Sequence, residues 1–212
     1  MDEKGNYVNC AAVGALIAER MLKRQPKAKI GYTILTSRIY EETIKANGGK
    51  PVIARVGHAF IKQKMREKDV VFACEHSGHF YFKDYFYTDS VTLTLLAVLE
   101  AYAEAKEAGK SFSEMMKPYV KYRQTEDVIV RVKDKKLALA KIEQHLKKMK
   151  PKQMKKFDGF SVDFGEVWGA IKPSVTEFAI KLMFEAKKKK LAKDKQTEMV
   201  KYIKSIADKT GK

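Results

Sequence analysis

The sequence predicts two domains in series. The first is a layered α/β domain with a mixed, largely parallel sheet and flanking helices; the second is a small α+β domain with an antiparallel sheet and helices on one face. Three observations carry this. Between residues 9 and 74 the apolar periodicity alternates as helix, strand, helix, strand, helix, strand, the order that parallel strands with crossover helices require. After residue 118 the order becomes strand, helix, three strands, helix, which suits an antiparallel sheet. The charge shifts at the same place: the chain carries a net +17, and residues 119–212 hold 25 Lys+Arg against 12 Asp+Glu.

Each element has its own justification. Asn9 to Gln25 reads as a helix with Val13, Leu16, Ile17 and Met21 on one side, closed by Pro26. Lys29 to Leu35 alternates Ile30, Tyr32 and Ile34 as a strand, and Thr36-Ser37-Arg38 starts a helix that ends at Asn47-Gly48-Gly49. Pro51 to Ala54 is a short strand and Gly57 to Lys68 a third helix. Val70 to Ala73 is a buried strand by its β-branched and aromatic content, and Phe80 to Asp84 is another. Asp89 or Ser90 caps a helix over 89–108, whose apolar residues Val91, Leu95, Val98, Leu99 and Tyr102 recur at helical spacing. Ser111 to Lys117 is a short further helix, and the domain boundary falls after Pro118. Asp127 to Val132 is then a strand, and Asp134 caps a helix with Leu139, Ile142, Leu146 and Met149 inward. Three strands follow at Phe157–Phe164, Val167–Ile171 and Ala179–Glu185, the last with Ile180, Leu182 and Phe184 on one face and Lys181, Met183 and Glu185 on the other. A final helix covers roughly 190–207.

Composition excludes several classes. Hydrophobic residues make up 45% of 212, so the chain is not disordered. No apolar run reaches the roughly 18 residues of a membrane-spanning helix, and the Met1-Asp2-Glu3-Lys4 start lacks a signal peptide's order. Cys10 and Cys74 make neither a disulfide framework nor a metal-ligand spacing, which fits a reducing cytoplasm. The basic excess is mostly lysine, the poorer reader of base edges, and favours a solvated surface over a nucleic-acid site.

The loops after the first three strands, 36–38, 55–58 and 75–79, are expected on one edge of the sheet, where ligands bind in open α/β sheets. The densest is Cys74-Glu75-His76-Ser77-Gly78-His79, with a carboxylate, a hydroxyl and two imidazoles. Glu75 and Ser77, two apart, can offer neighbouring acceptors to adjacent hydroxyls, the pattern that sugar recognition uses. Alone, such a string is equally a solvated turn with a histidine pair.

It stands with two others. Arg55-Val56-Gly57-His58-Ala59-Phe60-Ile61-Lys62 lies upstream and Lys172-Pro173-Ser174-Val175-Thr176-Glu177 downstream. In this order and at these separations the three resemble the α-D-phosphohexomutases, the phosphomannomutase/phosphoglucomutase family. There the middle motif reads G-E-x-S-G-H and the last R-P-S-N-T-E-P. The resemblance implies a sugar-binding third domain over 6–118, a phosphate-binding fourth domain over 119–212, and residues 1–5 as a remnant of the preceding domain. It implies that Glu75 and Ser77 hold ring hydroxyls, that His79, His58 and Lys62 line the cleft, and that Arg38 marks its edge. Ser174 and Thr176 match the phosphate loop, with Lys172 standing for arginine and Lys181 for the basic residue that follows. Val175 replaces asparagine, Phe178 proline, and Cys74 the glycine before the glutamate.

The family's phosphorylated serine and its Mg²⁺-binding D-G-D-x-D-R loop have no counterpart in these 212 residues. No catalytic residue, metal ligand or cofactor is therefore expected in this chain, although the complete family enzyme uses Mg²⁺. The expected ligand is a hexose phosphate, exchanged between its 1- and 6-phosphates, and the expected partner a separate or missing N-terminal half. Two alternatives remain open: a non-catalytic sugar-phosphate-binding or regulatory module, and, third, a basic nucleic-acid-binding protein.

Overall fold

The computed structural model describes residues 1–207, and the chain divides into two compact units, Met1–Lys121 and Tyr122–Lys212. In the first unit, α1 (Cys10–Arg24) is capped by the Asn9 side chain, which accepts from the Ala12 amide. Its small residues Ala11, Ala12, Gly14, Ala15 and Ala18 are buried, so the helix lies close against its neighbours on several sides rather than along one stripe. Then follow β1 (Lys29–Thr33), α2 (Arg38–Ala46), β2 (Lys50–Ala54), α3 (His58–Lys68) and β3 (Val70–Cys74). The strand β1 pairs in parallel with β2 on one side and β3 on the other. Beyond β3 the sheet turns antiparallel through β4 (Phe80–Phe82) and β5 (Thr88–Asp89), giving the order β2-β1-β3-β4-β5. Two helices complete the unit, α4 (Val91–Glu107) and α5 (Phe112–Met116).

One core cluster joins α1, α2, α4 and α5 to the sheet through Leu16, Ile17, Tyr40, Phe72, Ala101 and Met116. A smaller one seats α3 through Ile61 and Met65 against Val70 and Tyr81. The sheet therefore has helices on both faces, as its parallel connections require.

Residues 2–6 are fastened. Asp2 Oδ1 accepts from the Lys4 and Asn6 amides, and Glu3 accepts from the Ser113 hydroxyl at 2.6 Å and from its amide at 3.0 Å. The Ser113 hydroxyl holds the Glu3 carboxyl down at about 2.

The second unit contains β6 (Arg123–Gln124), β7 (Val128–Arg131), α6 (Lys135–Lys148), β8 (Gln153–Lys156), β9 (Phe160–Asp163), β10 (Val167–Pro173), β11 (Ala179–Ala186) and α7 (Lys189–Ala207). The sheet is antiparallel, in the order β6-β11-β10-β9-β8, and β7 also pairs with β11. Val130, Ile142, Leu146, Ile180, Leu182, Phe184, Met199 and Ile203 form one core between sheet and helices.

The structure departs from the sequence expectations in places with local causes. Phe157–Phe164 is not one strand: Asp158 and Gly159 have φ of +50° and +124° and turn the chain between β8 and β9. The β4 strand stops at Phe82, because residues 83–85 coil into a single 3₁₀ turn. Both faces of β11 are covered: on the face that carries Lys181, Met183 and Glu185 are fully buried. Of the α4 residues that recur at helical spacing, Val98 packs on the core with Leu93 and Ala97, while Val91, Leu95 and Leu99 are exposed. That helix is apolar around most of its circumference, so spacing alone does not choose its buried side. Among the described residues no helix is long and apolar enough to cross a membrane.

Candidate functional site

The parallel registers Thr33↔Ala54 and Tyr32↔Cys74 bring the C-terminal ends of β1, β2 and β3 to one edge. The three loops that follow these strands are tied to one another there. Thr36 Oγ1 donates to the Cys74 carbonyl at 3.3 Å, linking the first to the third. The Gly57 amide donates to Glu75 Oε1 at 3.3 Å, linking the second to the third.

Residues 75–79 form a tight connection between β3 and β4, closed by the Glu75 amide on the His79 carbonyl and the Gly78 amide on the Glu75 carbonyl. Gly78 takes φ +88°, the left-handed region that the turn needs. Glu75 itself is 5% exposed. Its second oxygen, Oε2, accepts from the Tyr81 hydroxyl at 2.6 Å. Burial, and then the carboxylate beside it, push the Tyr81 hydroxyl well above the ordinary phenol range, so it stays a donor. The other donor to Glu75 belongs to the N-cap residue of α3, the positive end of that helix dipole.

Around this buried carboxylate lie exposed groups. Ser77 and His79 are on the turn, Ser77 exposed and His79 with a side chain 54% exposed. His58 is the first residue of α3, next to the Gly57 amide, and is exposed. Lys62 follows one turn along α3 and is half-buried. His79 Nδ1 lies 3.0 Å from Asp89 Oδ2. Asp89 is held in place by the β4–β5 pairing, opposite Tyr81. Arg38 starts α2 beyond the Thr36 link, with its Nε on Glu42 Oε1 at 2.9 Å. Tyr81 and Asp89 are contacts that sequence reasoning misses. Spacing offers Asp89 only as a helix cap, a role that Ser90 fills through the Leu93 amide.

The loop 174–178 joins β10 to β11 in the second unit. The Ser174 amide donates to the Ala179 carbonyl, and the Glu177 amide donates to Ser174 Oγ at 3.2 Å. Thr176 is exposed, as are Val175 and Phe178, each at 71%. The two expected cations are placed otherwise. Lys172 is 3% exposed with Nζ 3.1 Å from Asp158 Oδ2, and Lys181 Nζ sits 2.6 Å from Asp127 Oδ2. Lys172 and Lys181 are directly opposite in the β10–β11 register. Two like charges so placed repel, and a carboxylate for each relieves this. Lys172 in particular is a buried ion-pair partner and offers no free charge to a phosphate. The cation that does reach the loop is Lys135, from the first turn of α6, with Nζ 3.0 Å from the Ser174 carbonyl. Nothing in its local sequence distinguishes Lys135 from the lysines around it.

Among the described residues no cluster of three His, Cys, Asp or Glu side chains could hold a metal ion. A cavity of about 420 Å³ lies between α1, α4 and neighbouring strands, with the polar Arg24, Gln25, Asp84 and Glu100 in its lining beside apolar residues such as Phe82 and Leu93.

Comparison with known proteins gives these arrangements a setting. Residues 10–122 match the family model described as phosphoglucomutase/phosphomannomutase, alpha/beta/alpha domain III. A phosphomannomutase of Methanocaldococcus jannaschii is 39% identical over 199 residues, which is 94% of this chain and 43% of the relative. A Salmonella montevideo phosphomannomutase is 30% identical over 88% of this chain and 40% of its own length. Among solved structures, a Burkholderia thailandensis phosphoglucomutase/phosphomannomutase family protein superposes with a TM-score of 0.80 at 26% identity, covering 95% of this chain and 42% of that one. The chain thus spans about two-fifths of the length of the relatives it matches.

Proposed function

Because the chain belongs to the phosphoglucomutase/phosphomannomutase family, we propose that it is the hexose- and phosphate-binding part of a mutase that exchanges 1- and 6-phosphates. One observation carries this: the Glu75 carboxylate is fixed through both oxygens at the strand-end edge, where Ser77, His79 and His58 also reach solvent. A carboxylate has about four acceptor positions, and two donors leave room for sugar hydroxyls. Ser77 adds a hydroxyl that donates and accepts, and His79 and His58 add imidazoles at the rim. Arg38 and Lys62 supply positive charge toward the same edge.

The phosphate contact is assigned to Ser174, Thr176 and loop amides, with Lys135 as the nearby cation in place of Lys172. Lys181 contributes through the field of an already paired charge. This is a weaker phosphate site than the resemblance implies, since Val175 cannot hydrogen-bond through its side chain. The loss of one or two charge-assisted bonds of about 1.5–3 kcal/mol each leaves an affinity near millimolar. That weakening favours a second reading, a module that binds sugar phosphate without turnover. In the first reading the phosphoserine and the Mg²⁺ loop come from another part of the enzyme. The free thiols of Cys10 and Cys74 accord with a cytoplasmic location.

Calorimetric titration with glucose 1-phosphate and with glucose tests the assignment. Ser77→Ala should weaken both ligands, whereas Lys135→Ala and added salt should weaken only the phosphorylated one. Equal binding by the native chain and Ser77→Ala would remove the sugar site from the 75–79 loop.

A further inference from the structure

We propose that Cys10 and Cys74 are an oxidation site: a small-molecule disulfide such as oxidised glutathione converts the two thiols into an intramolecular disulfide, and its closure shifts the Glu75–Gly78 turn. The effect on sugar affinity rests on the family reading above; the disulfide and the shift do not.

Cys10 begins α1 and Cys74 ends β3, 64 residues further along the chain, and both thiols are free. Cys74 Sγ lies 3.8 Å from the Cys10 carbonyl oxygen and 3.5 Å from the Glu75 carbonyl oxygen. It fits there because Gly14 has no side chain: a Cβ at that position would stand 2.7 Å from Cys74 Sγ and 3.1 Å from its Cβ. Cys10 and Gly14 are four apart in α1, so they share the helix face on which Cys74 rests. The Cys10 side chain reaches the turn as well, since a Cβ on Gly78 would come within 2.9 Å of Cys10 Sγ. The Gly78 amide in turn donates to the Glu75 carbonyl at 3.1 Å. Both sulfurs therefore border the same few atoms of the turn that carries Glu75. Cys74 stands where the similar motif has glycine, so the second sulfur belongs to this chain and not to the motif.

The two thiols differ in access. Cys10 is half-buried, and the Tyr7 hydroxyl is hydrogen-bonded to its sulfur. Cys74 is fully buried, and burial pushes its thiol well above the ordinary range, with Cys10 and Glu75 adding to the effect. A reagent from solvent thus meets Cys10 first. The Cys10 thiolate attacks one sulfur of the small disulfide and expels one thiol, leaving a mixed disulfide. Cys74 then gives up its proton and attacks the Cys10 sulfur, expelling the second thiol. The pair loses two electrons and two protons, and the small disulfide is reduced to two thiols. Closure requires β-carbons about 3.8 Å apart, so one of the two segments must move. The amide of a helix's first residue makes no intrahelical bond, so the start of α1 yields more readily than β3, which is paired on both sides. The Cys10 side chain then leaves Gly78, and the turn shifts. A reversible disulfide reached through one half-buried thiol suits a redox sensor in a reducing compartment.

The test adds oxidised glutathione to the native chain, to Cys10→Ala and to Cys74→Ala, and follows intact mass, peptide maps without reduction and amide NMR signals. In the native chain a glutathione adduct on Cys10 should rise and then decay. The product should be lighter than the reduced chain by two hydrogens, with Cys10 and Cys74 in one linked peptide. Cys74→Ala should stop at the adduct. Cys10→Ala should react about tenfold or more slowly, since Cys74 is reached only by local opening. The amide signals of Gly57, Glu75 and Gly78 should move on closure and return with dithiothreitol. Glucose affinity, read from the same signals, should fall about tenfold on closure, the loss expected when one hydrogen bond to a charged group is disturbed.

An unreactive native chain, a lasting adduct on its Cys10, a Cys10–Cys10 dimer as the product, or closure only with loss of the folded spectrum would overturn the site. Closure that leaves the three amide signals in place, or that leaves glucose affinity unchanged in a chain that binds glucose, would overturn the shift. If the reduced chain binds no glucose, the family reading fails by itself, and the mass and amide signals still decide the disulfide.

Discussion

Two donors of different character hold the Glu75 carboxylate: the Gly57 amide, set by the start of α3, and the Tyr81 hydroxyl, a side chain that can be removed. Tyr81→Phe leaves a buried charged oxygen without its shorter bond, which should destabilise the first unit by about 1–3 kcal/mol in urea denaturation. An unchanged midpoint would show that the carboxylate finds another donor. A second residue-scale prediction concerns His145, which stacks on Tyr202 with ring centroids 3.7 Å apart and planes 7° from parallel. Burial lowers its pKa, with Lys148 and Lys195 adding to the effect and Glu198 opposing it. A lowered folded-state pKa means that the unfolded chain binds the proton first. Stability should therefore fall as pH drops from about 7 through the ordinary histidine range, and level off below the folded-state pKa. His145→Phe keeps the stacking, and melting curves across that range should flatten; an equal slope would place the titrating group elsewhere. At this scale Glu75, Ser77, His79 and His58 are legible in the sequence, because polar residues that directly follow an apolar strand run form a pattern complete within a few positions. Lys172 is not, because its partner Asp158 is fourteen residues away, on a turn whose position the β9–β10 register sets.

Helix α1 and strand β3 meet where a residue usual in related motifs has changed. Cys74 stands in place of glycine, and its sulfur lies against Gly14, where an added Cβ would come within 2.7 Å of Sγ and 3.0 Å of a Tyr40 ring carbon. Gly14→Ala should cost about 1–3 kcal/mol through overpacking between the helix and the sheet. Cys74→Ala should recover part of that loss, because the closest contact disappears while Tyr40 remains. A double-mutant cycle on denaturation midpoints measures the coupling, and strict additivity would mean that the helix shifts to avoid the thiol. The same scale shows what periodicity resolves. Long helices with a side-chain cap, such as α1 after Asn9 and α6 after Asp134, begin where the sequence predicts, since capping and spacing are local. The two-residue strands β5 and β6 escape prediction, because pairing with a neighbour, and no pattern of their own, makes them strands.

For the molecule as a whole, the proposed division of labour predicts that the purified chain does not convert glucose 1-phosphate to glucose 6-phosphate, with or without Mg²⁺. Phosphoryl transfer needs an acceptor nucleophile and charge neutralisation in line, and the described residues provide no metal cluster for the second. Turnover by chain freed of host mutase would assign the chemistry to residues here. The order of the two domains, the parallel-then-antiparallel change and the strand-end loop that gathers Glu75, Ser77 and His79 are all written locally. They follow from periodicity and from short-range turn and cap chemistry, which neighbouring residues fully specify. Which charges are free and which faces are covered is settled only in the folded chain. Lys172 and Lys181 are neutralised by carboxylates from other segments, and Lys135 arrives from another element. In α4, apolar almost all round, Val91, Leu95 and Leu99 stay outside only because Leu93, Ala97 and Val98 reach the core first. Register and packing between segments far apart in the chain fix such choices, and no local pattern encodes them.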